Sequence, residues 1–318
     1  MFRTKICEIL NIQYPIILGG MVWVGRAELA AAVSEAGGLG LIGAGGMSIE
    51  EIESECSHIR QRTDKPFGIN IPLLRPDAED MISAAADNGA SVISTSSGSP
   101  AKYTQTIKSK GLKVIHVVSG VKFARKCEQA GVDIIVAEGF EAGGHNGFDE
   151  ITTMALTPQV VRAVSTPVVA AGGIADGHGF AAALALGAQG VQIGTRFMAT
   201  HESAAHENVK DAVVHLEDNG TCITGRTTVG PTRSIKNSLT DMITAEEKKG
   251  TPPEKLFEMI GSGRSLSACV EGDCVEGSVY CGQIGGAITS IKSVREVIDD
   301  IIREAETVIG SINTLIEK

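Results

Sequence analysis

Eight short apolar runs alternate with segments of helical periodicity from the N-terminus to about residue 198. The runs cover residues 16–18, 39–42, 67–71, 92–94, 113–117, 134–137, 168–171 and 191–193. The helical segments cover residues 26–35, 49–61, 78–88, 100–109, 120–129, 157–164 and 177–186. Strands that alternate with helices pair in parallel, and eight such units close into a barrel. The alternation therefore predicts an α/β fold, the (β/α)8 TIM barrel.

The alternation stops after Phe197, and residues 201–281 are polar and charged. A segment of this length is too long for a loop of a compact domain unless it has a structure of its own. We therefore expect a small, mainly helical lobe, inserted near the C-terminus over the mouth where the active sites of such barrels lie. Residues 1–200 and 282–318 would form the barrel, and an amphipathic helix over residues 293–316 would return to its wall.

The composition narrows the class of protein. Hydrophobic residues make up 43% of the 318 residues and charged residues 21%, which suits a globular protein with a substantial core. A formal net charge of −10 without a lysine/arginine cluster makes nucleic acid a poor partner. No apolar run approaches the roughly 20 residues of a membrane span, and no signal peptide is visible. We expect a cytoplasmic protein without a membrane partner.

The seven cysteines are expected to be reduced thiols, because their number is odd and no secretory signal precedes them. Cys269 and Cys274 lie five residues apart and Cys281 follows, with no histidine close by. Zinc sites usually show tighter cysteine pairs. No metal site is predicted.

A glycine-dense loop with one histidine follows the sixth apolar run. It covers residues 138–147 and carries Glu138, Gly143, Gly144 and His145. Glycines let the backbone approach a flat ligand closely, and a histidine exchanges protons near neutral pH. The pattern predicts a loop that presents reactive groups at the C-terminal end of a strand. A tight loop with a surface histidine is the alternative.

Two later glycine turns point to a phosphate. Gly172 and Gly173 follow the seventh apolar run, and Gly194 and Thr195 follow the eighth. In (β/α)8 barrels the loops after the last two strands commonly hold a phosphate. Free backbone amides and the threonine hydroxyl would serve that purpose here. Two ordinary turns, in which glycine is common anyway, are the alternative.

Five ordered motifs give the chain a specific resemblance. They lie at residues 14–21, 64–71, 138–147, 170–177 and 192–197. Together they resemble the superfamily of nitronate monooxygenase and FMN-dependent enoyl-acyl-carrier-protein reductase II, from near residue 3 to about residue 300. The resemblance implies a (β/α)8 barrel, one FMN and a mobile second lobe. It also implies an oxidoreductase that uses NADH or NADPH as electron donor if it belongs to the reductase branch.

The same resemblance implies roles for individual residues. His145 would be the catalytic histidine near the reactive face of the flavin. The expected FMN-binding residues are Gly20 and Met21 against the ring, Asn70 at its polar edge, Gly172, Gly173, Gly194 and Thr195 at the phosphate, Gln192 nearby, and Glu138, Gly143 and Gly144 in the histidine loop. An amide such as that of Asn70 both donates and accepts hydrogen bonds, which suits the polar edge of a flavin.

The two branches of the superfamily give two alternative activities for this chain. The turn at residues 95–100, the acid at Glu138 and the segment 272–283 resemble the reductase, whose substrate is an enoyl thioester of acyl carrier protein in fatty acid synthesis. The alternative is a nitronate monooxygenase that oxidises alkyl nitronates with oxygen. A further alternative is a flavin-binding barrel without catalysis. The choice between NADH and NADPH and the oligomeric state stay open, with a homodimer through the C-terminal helix as one option.

Overall fold

The computed structural model describes residues 2–228 and 230–315. The strands are β1 (Ile16–Leu18), β2 (Gly40–Gly43), β3 (Phe67–Pro72), β4 (Val92–Ser96), β5 (Lys113–Val118), β6 (Ile134–Glu138), β7 (Gly144–His145), β8 (Val168–Ala171), β9 (Val191–Ile193), β10 (Thr221–Thr224) and β11 (Thr232–Ile235). The helices are α1 (Lys5–Leu10), α2 (Ala27–Glu35), α3 (Ile49–Arg60), α4 (Ala78–Asp87), α5 (Thr104–Ser109), α6 (Val121–Ala130), α7 (Thr153–Ala163), α8 (Gly177–Ala185), α9 (Thr195–Met198), α10 (Glu207–Val214), α11 (Ser238–Lys248), α12 (Pro253–Ile260), α13 (Arg264–Cys269) and α14 (Val294–Asn313).

Eight parallel strands form a barrel, in the order β1, β9, β8, β6, β5, β4, β3 and β2. The two edge strands of this order, β1 and β2, meet beside Leu39. The amide of Leu18 donates to the carbonyl of Leu39 at 2.9 Å, and the amide of Leu39 donates to the carbonyl of Ile16 at 2.9 Å. These bonds close the ring, and the predicted (β/α)8 barrel is confirmed.

The eight predicted strands are found with ends that differ by two residues at most. β1, β8 and β9 have the predicted bounds. β4 and β6 extend further toward their C-terminal ends than the apolar runs do, to Ser96 and Glu138. These added residues are polar because they face the mouth of the barrel, so hydrophobicity alone did not mark them as strand.

The predicted helices are present, and two of them begin four residues from their predicted start. Helix α5 begins at Thr104 rather than at residue 100, after a 3-10 turn at Pro100–Lys102. The other is α7. This helix begins at Thr153 rather than at residue 157. Pro158 lies inside this helix. Because proline is most common in the first turn of a helix, the sequence pattern placed the start of the helix beside it. The prediction for the last helix ends at residue 316, which lies outside the described residues, and α14 ends at Asn313. Helix α1 was not predicted.

The long helix α14 closes the outer wall of the barrel against α8. The Glu304 carboxylate accepts a hydrogen bond from the Gly177 amide at 2.7 Å, at the start of α8. A Cβ atom on Gly177 would lie 2.4 Å from the amide nitrogen of Ala305. Glycine is therefore required where the two helices approach each other, and the predicted return of the C-terminal helix to the barrel is confirmed.

The inserted lobe is mainly helical, as expected, and also contains a strand pair. Helices α10 to α13 lie in it, and β10 pairs with β11 in antiparallel fashion. The other edge of β11 pairs with β7, so the lobe hydrogen-bonds to the histidine loop of the barrel. The hairpin was not predicted, because its two short strands are largely polar and show no clear apolar alternation. Its pairing with β7 was not predicted, because β7 is distant from β11 in sequence. The boundaries at residues 200 and 282 stay a prediction.

Candidate active site

A cavity of about 1190 Å³ opens at the C-terminal ends of the barrel strands. Every residue for which the sequence predicts a role lies on its wall: Gly20, Met21, Asn70, Glu138, Gly143, Gly144, His145, Gly172, Gly173, Gln192, Gly194 and Thr195. These residues come from the ends of β1, β3, β6, β8 and β9 and from the loops that follow. The roles themselves stay proposals, since proximity alone does not assign chemistry.

Close packing of Gly20 against Asn70 shapes one wall of the cavity. A Cβ atom on Gly20 would lie 2.4 Å from Cβ and Cγ of Asn70. No side chain fits there, so the loop after β1 lies directly against the amide of Asn70. Asn70 is buried at the C-terminal part of β3. This wall presents flat backbone beside an amide group.

The two glycine turns lie on another side of the cavity. Gly172 and Gly173 have φ angles of +92° and +72°, a conformation that other residues rarely adopt. A Cβ atom on Gly172 would also lie 2.8 Å from the carbonyl oxygen of Gly139. The hydroxyl oxygen of Thr195 accepts a hydrogen bond from the Gly282 amide at 3.0 Å. The second turn is therefore joined to the segment that leaves the lobe.

His145 is held in place by the lobe. Its strand β7 pairs with β11, in a register that sets His145 opposite Thr232. The imidazole ring lies edge-on to the ring of Tyr280, with centroids 6.1 Å apart. The ring is exposed to the cavity, yet the surrounding walls withdraw it from bulk water and lower the pKa of His145. The neutral imidazole is thereby favoured near neutral pH.

Glu141, three residues after Glu138, stabilises the loop rather than the histidine. Its carboxylate accepts hydrogen bonds from the Thr153 amide at 2.8 Å and from the Thr153 hydroxyl at 3.0 Å. The hydroxyl oxygen also lies 2.8 Å from the Gly172 carbonyl oxygen, so its single proton is shared between these two acceptors. These bonds fix Glu141 to the start of α7.

Two polar side chains face the cavity with unusual properties. The Oε1 atom of Gln192 is buried and has no hydrogen-bond partner among the described residues. Burial raises the pKa of Glu138 to about 7. Buried polar atoms of this kind normally have partners. The wall therefore has unused hydrogen-bonding capacity, as expected where a polar ligand completes the site.

His116 on β5 is a second histidine of the cavity wall. Its Nδ1 atom lies 2.6 Å from Oγ1 of Thr95. The Thr95 hydroxyl donates to the Ile115 carbonyl at 3.0 Å, so Nδ1 carries the proton toward Thr95 and Nε2 remains an acceptor. Burial lowers the pKa of His116 to about 4, which keeps the ring neutral.

Apolar side chains surround the opening of the cavity. Leu74 is 79% exposed, Phe148 77% and Phe123 46%, and all three line the cavity. Sequence reasoning missed them, along with Tyr280, because they come from loops and from the lobe. No local pattern distinguishes such residues from ordinary surface side chains. Together they form an opening that suits an apolar substrate.

Residues 3–304 match the family model of nitronate monooxygenase. The chain belongs to the nitronate monooxygenase family. FabK from Thermotoga maritima is 43% identical, with a TM-score of 0.95 over 99% of this chain and 100% of its own. A nitroalkane oxidase from Streptomyces ansochromogenes is 27% identical, with a TM-score of 0.84 over 97% of this chain and 100% of its own.

A curated relative acts on a coenzyme A thioester, by its name. It is the (3aS,4S,5R,7aS)-5-hydroxy-7a-methyl-1-oxo-octahydro-1H-indene-4-carboxyl-CoA dehydrogenase of Mycobacterium tuberculosis. It is 30% identical to this member of the nitronate monooxygenase family, over 99% of each chain. This chain is accordingly an FMN-dependent oxidoreductase that acts on small molecules. Among the described residues, no helix is both long and apolar enough to cross a membrane.

The residues of the cavity fit the flavin of this family. Glycine turns with positive φ angles offer backbone amides for a phosphate. The unpartnered Oε1 atom of Gln192 and the amide of Asn70 offer hydrogen bonds to a polar ring edge. The volume of about 1190 Å³ exceeds the roughly 300–1,000 Å³ of most single-ligand pockets, which leaves room for a second molecule beside FMN.

Proposed function

We propose that this enzyme reduces the enoyl double bond of acyl-carrier-protein thioesters, with NADH or NADPH as the electron donor. The similarity to FabK carries the proposal: 43% identity and a TM-score of 0.95, against 27% and 0.84 for the nitroalkane oxidase. The name of the mycobacterial relative supports a thioester substrate of the same general class.

The residues that would hold FMN follow from the walls of the cavity. Amides of Gly172, Gly173 and Gly194, with the Thr195 hydroxyl, would bind its phosphate, and Asn70 with Gln192 would bind the polar edge of its ring. Gly20 and Met21 would lie against the ring face, with Glu138, Gly143 and Gly144 on the opposite wall. Bound FMN supplies the transfer of two electrons between the nicotinamide and the substrate.

His145 would act on the substrate. Its lowered pKa favours a neutral ring, which can donate one N–H group to a thioester carbonyl and accept a proton at the other nitrogen. Pairing of β7 with β11 and the contact with Tyr280 restrict the movement of the ring. The exposed Leu74, Phe123 and Phe148 would receive the acyl chain as it enters.

A nitronate monooxygenase is the second candidate, favoured by the family model that covers residues 3–304. In that reaction His145 would lie beside the nitro group of the substrate. A flavin-binding barrel without catalysis is the third. A purified protein that is yellow but turns over neither substrate would support it.

Anaerobic reduction of the purified holoprotein separates these candidates. We expect NADH or NADPH to bleach the visible flavin band and crotonyl thioester to restore it. Bleaching by an alkyl nitronate, with none by either nicotinamide, would assign the chain to nitronate oxidation instead. A colourless protein that FMN does not reconstitute would contradict the cofactor site.

A further inference from the structure

Helix α6 exposes a basic face in an acidic protein. Lys122, Arg125 and Lys126 all lie on its exposed side, while Ala124 and Cys127 are buried against the barrel. The formal net charge of the chain is −10. Within residues 2–228 and 230–315, no carboxylate forms an ion pair with these three cations. The net charge of the whole chain does not reveal this local cluster of cations.

The arrangement does not stabilise the helix. Lys122 and Lys126 are four residues apart and Lys122 and Arg125 three apart, so their like charges are neighbours on the helix surface. Lys122 also lies in the first turn, next to the positive end of the helix dipole, and no acidic residue lies in that turn. Arg125 alone has an acidic neighbour, Glu128, three residues further along the helix, so local helix stability gives no reason for Lys122 and Lys126.

The basic face borders the cavity. Lys126 and the exposed Phe123 line it, whereas Lys122 and Arg125 lie outside it on the surface of the helix. A ligand contained in the cavity therefore reaches one of the three cations. A partner that neutralises all three must extend over the outer surface beside the mouth.

We propose that the basic face of α6, formed by Lys122, Arg125 and Lys126, docks an acidic carrier protein that delivers the thioester on its phosphopantetheine arm. This rests on the proposed function, since the cargo is the enoyl thioester. The charges are complementary, and unpaired cations accelerate the association of an anionic partner. The apolar opening beside them would then receive the acyl chain.

The test reverses the two cations that lie outside the cavity. In the FMN-loaded double variant Lys122→Glu/Arg125→Glu, the first helical turn becomes acidic and a glutamate faces Lys126, both of which favour the helix. Arg125→Glu also places a carboxylate three residues before Glu128, which opposes the helix, so urea unfolding of the variant beside wild type is measured before turnover is compared. The matched control is Lys65→Glu/Lys113→Glu, which makes the same change in charge away from the mouth. Both positions are exposed: Lys65 precedes β3, and Lys113 begins β5.

Three substrates separate docking from chemistry: crotonyl-acyl-carrier protein, crotonyl-CoA and crotonyl-N-acetylcysteamine. We expect kcat/KM for the carrier-protein substrate to fall at least tenfold in the α6 variant and to lose its salt dependence. The other two substrates and the control variant should stay near wild type. An equal fall with crotonyl-CoA would show recognition of a phosphate group rather than a protein, and would overturn the proposal. Unchanged turnover of the carrier-protein substrate would overturn it too.

A direct binding measurement tests the docking surface separately from the proposed reductase activity. If the wild-type holoprotein reduces none of the three thioesters, the proposed function fails. Biolayer interferometry with immobilised crotonyl-acyl-carrier protein then decides on docking alone. At least tenfold weaker binding of the α6 variant, with unchanged binding of the control, supports the docking surface, and equal binding of all three proteins rejects it.

Discussion

The amide of Gly282 donates a hydrogen bond to the side-chain oxygen of Thr195 at 3.0 Å. One residue ends the segment that leaves the lobe, and the other begins the turn after the last barrel strand. The next amide, that of Gln283, donates to the Glu141 carbonyl at 2.9 Å. The lobe is thus attached to the proposed phosphate turn and to the histidine loop at the same place.

Replacement of Thr195 should test this junction. Thr195→Val keeps the shape of the side chain but leaves the Gly282 amide without its acceptor, at a cost of about 1–3 kcal/mol. We expect lower stability in urea unfolding and weaker retention of FMN, measured by the flavin released on dialysis. Thr195→Ser retains the hydroxyl and should resemble wild type. Equal behaviour of the two variants would show that the hydroxyl has neither role.

Removal of the His145 imidazole should affect turnover rather than cofactor binding. His145→Ala is expected to keep FMN and to lower kcat by about 10²-fold, within the range for loss of a general acid or base. Stopped-flow measurement of flavin reoxidation by the thioester gives the rate. The exposed His58 on α3 supplies a control, His58→Ala, which should leave the rate unchanged. An unchanged kcat in His145→Ala would exclude the imidazole from the chemistry.

A methyl group on Gly173 should interfere with the phosphate turn. Gly173 and Gly111 have φ angles of +72° and +81°, so an alanine at either position adds a similar backbone strain of about 1–2 kcal/mol. A Cβ atom on Gly111 meets no atom of the described residues within 4 Å and lies away from the cavity, whereas Gly173 lines it. A Cβ atom on Gly173 would also lie 3.3 Å from Cβ of Glu141, so Gly173→Ala should lose somewhat more stability than Gly111→Ala. We expect only Gly173→Ala to lose FMN. Full FMN occupancy there would place the phosphate elsewhere.

Glu138 should make the stability of the flavin-free protein depend on pH. Burial raises its pKa from 4.5 to about 7, so in this window the folded protein binds a proton that the unfolded chain has released. Stability is then lost as the pH rises from 4.5 to 7, and the loss persists at higher pH.

Substitution of Glu138 by a group that does not titrate isolates this effect. Between about pH 5 and pH 8, Glu138→Gln should gain on the order of 1–3 kcal/mol relative to wild type. Urea unfolding at both pH values measures the gain. His116, whose lowered pKa acts in the opposite direction, is common to both proteins and cancels in the comparison. Parallel pH profiles would show that Glu138 is not desolvated.

Local patterns were sufficient for the parts of the site that follow barrel strands. Gly172, Gly173, Gly194 and Thr195 come directly after β8 and β9, and parallel strands bring their carboxyl ends to the same mouth. The partner of His116 could not be predicted, because Thr95 lies on the neighbouring strand and only the sheet brings it beside His116. The shift of its pKa depends on burial, which no local pattern reports.

The order of strands and helices, and hence the barrel, was determined by the sequence itself, because periodic apolar residues specify which faces must be buried. The antiparallel pairing of β7 with β11, the contact between His145 and Tyr280 and the basic face of α6 beside the mouth were decided by the tertiary structure alone. Their residues lie far apart in the chain or are ordinary surface residues in it. Only the closed fold brings them to one opening.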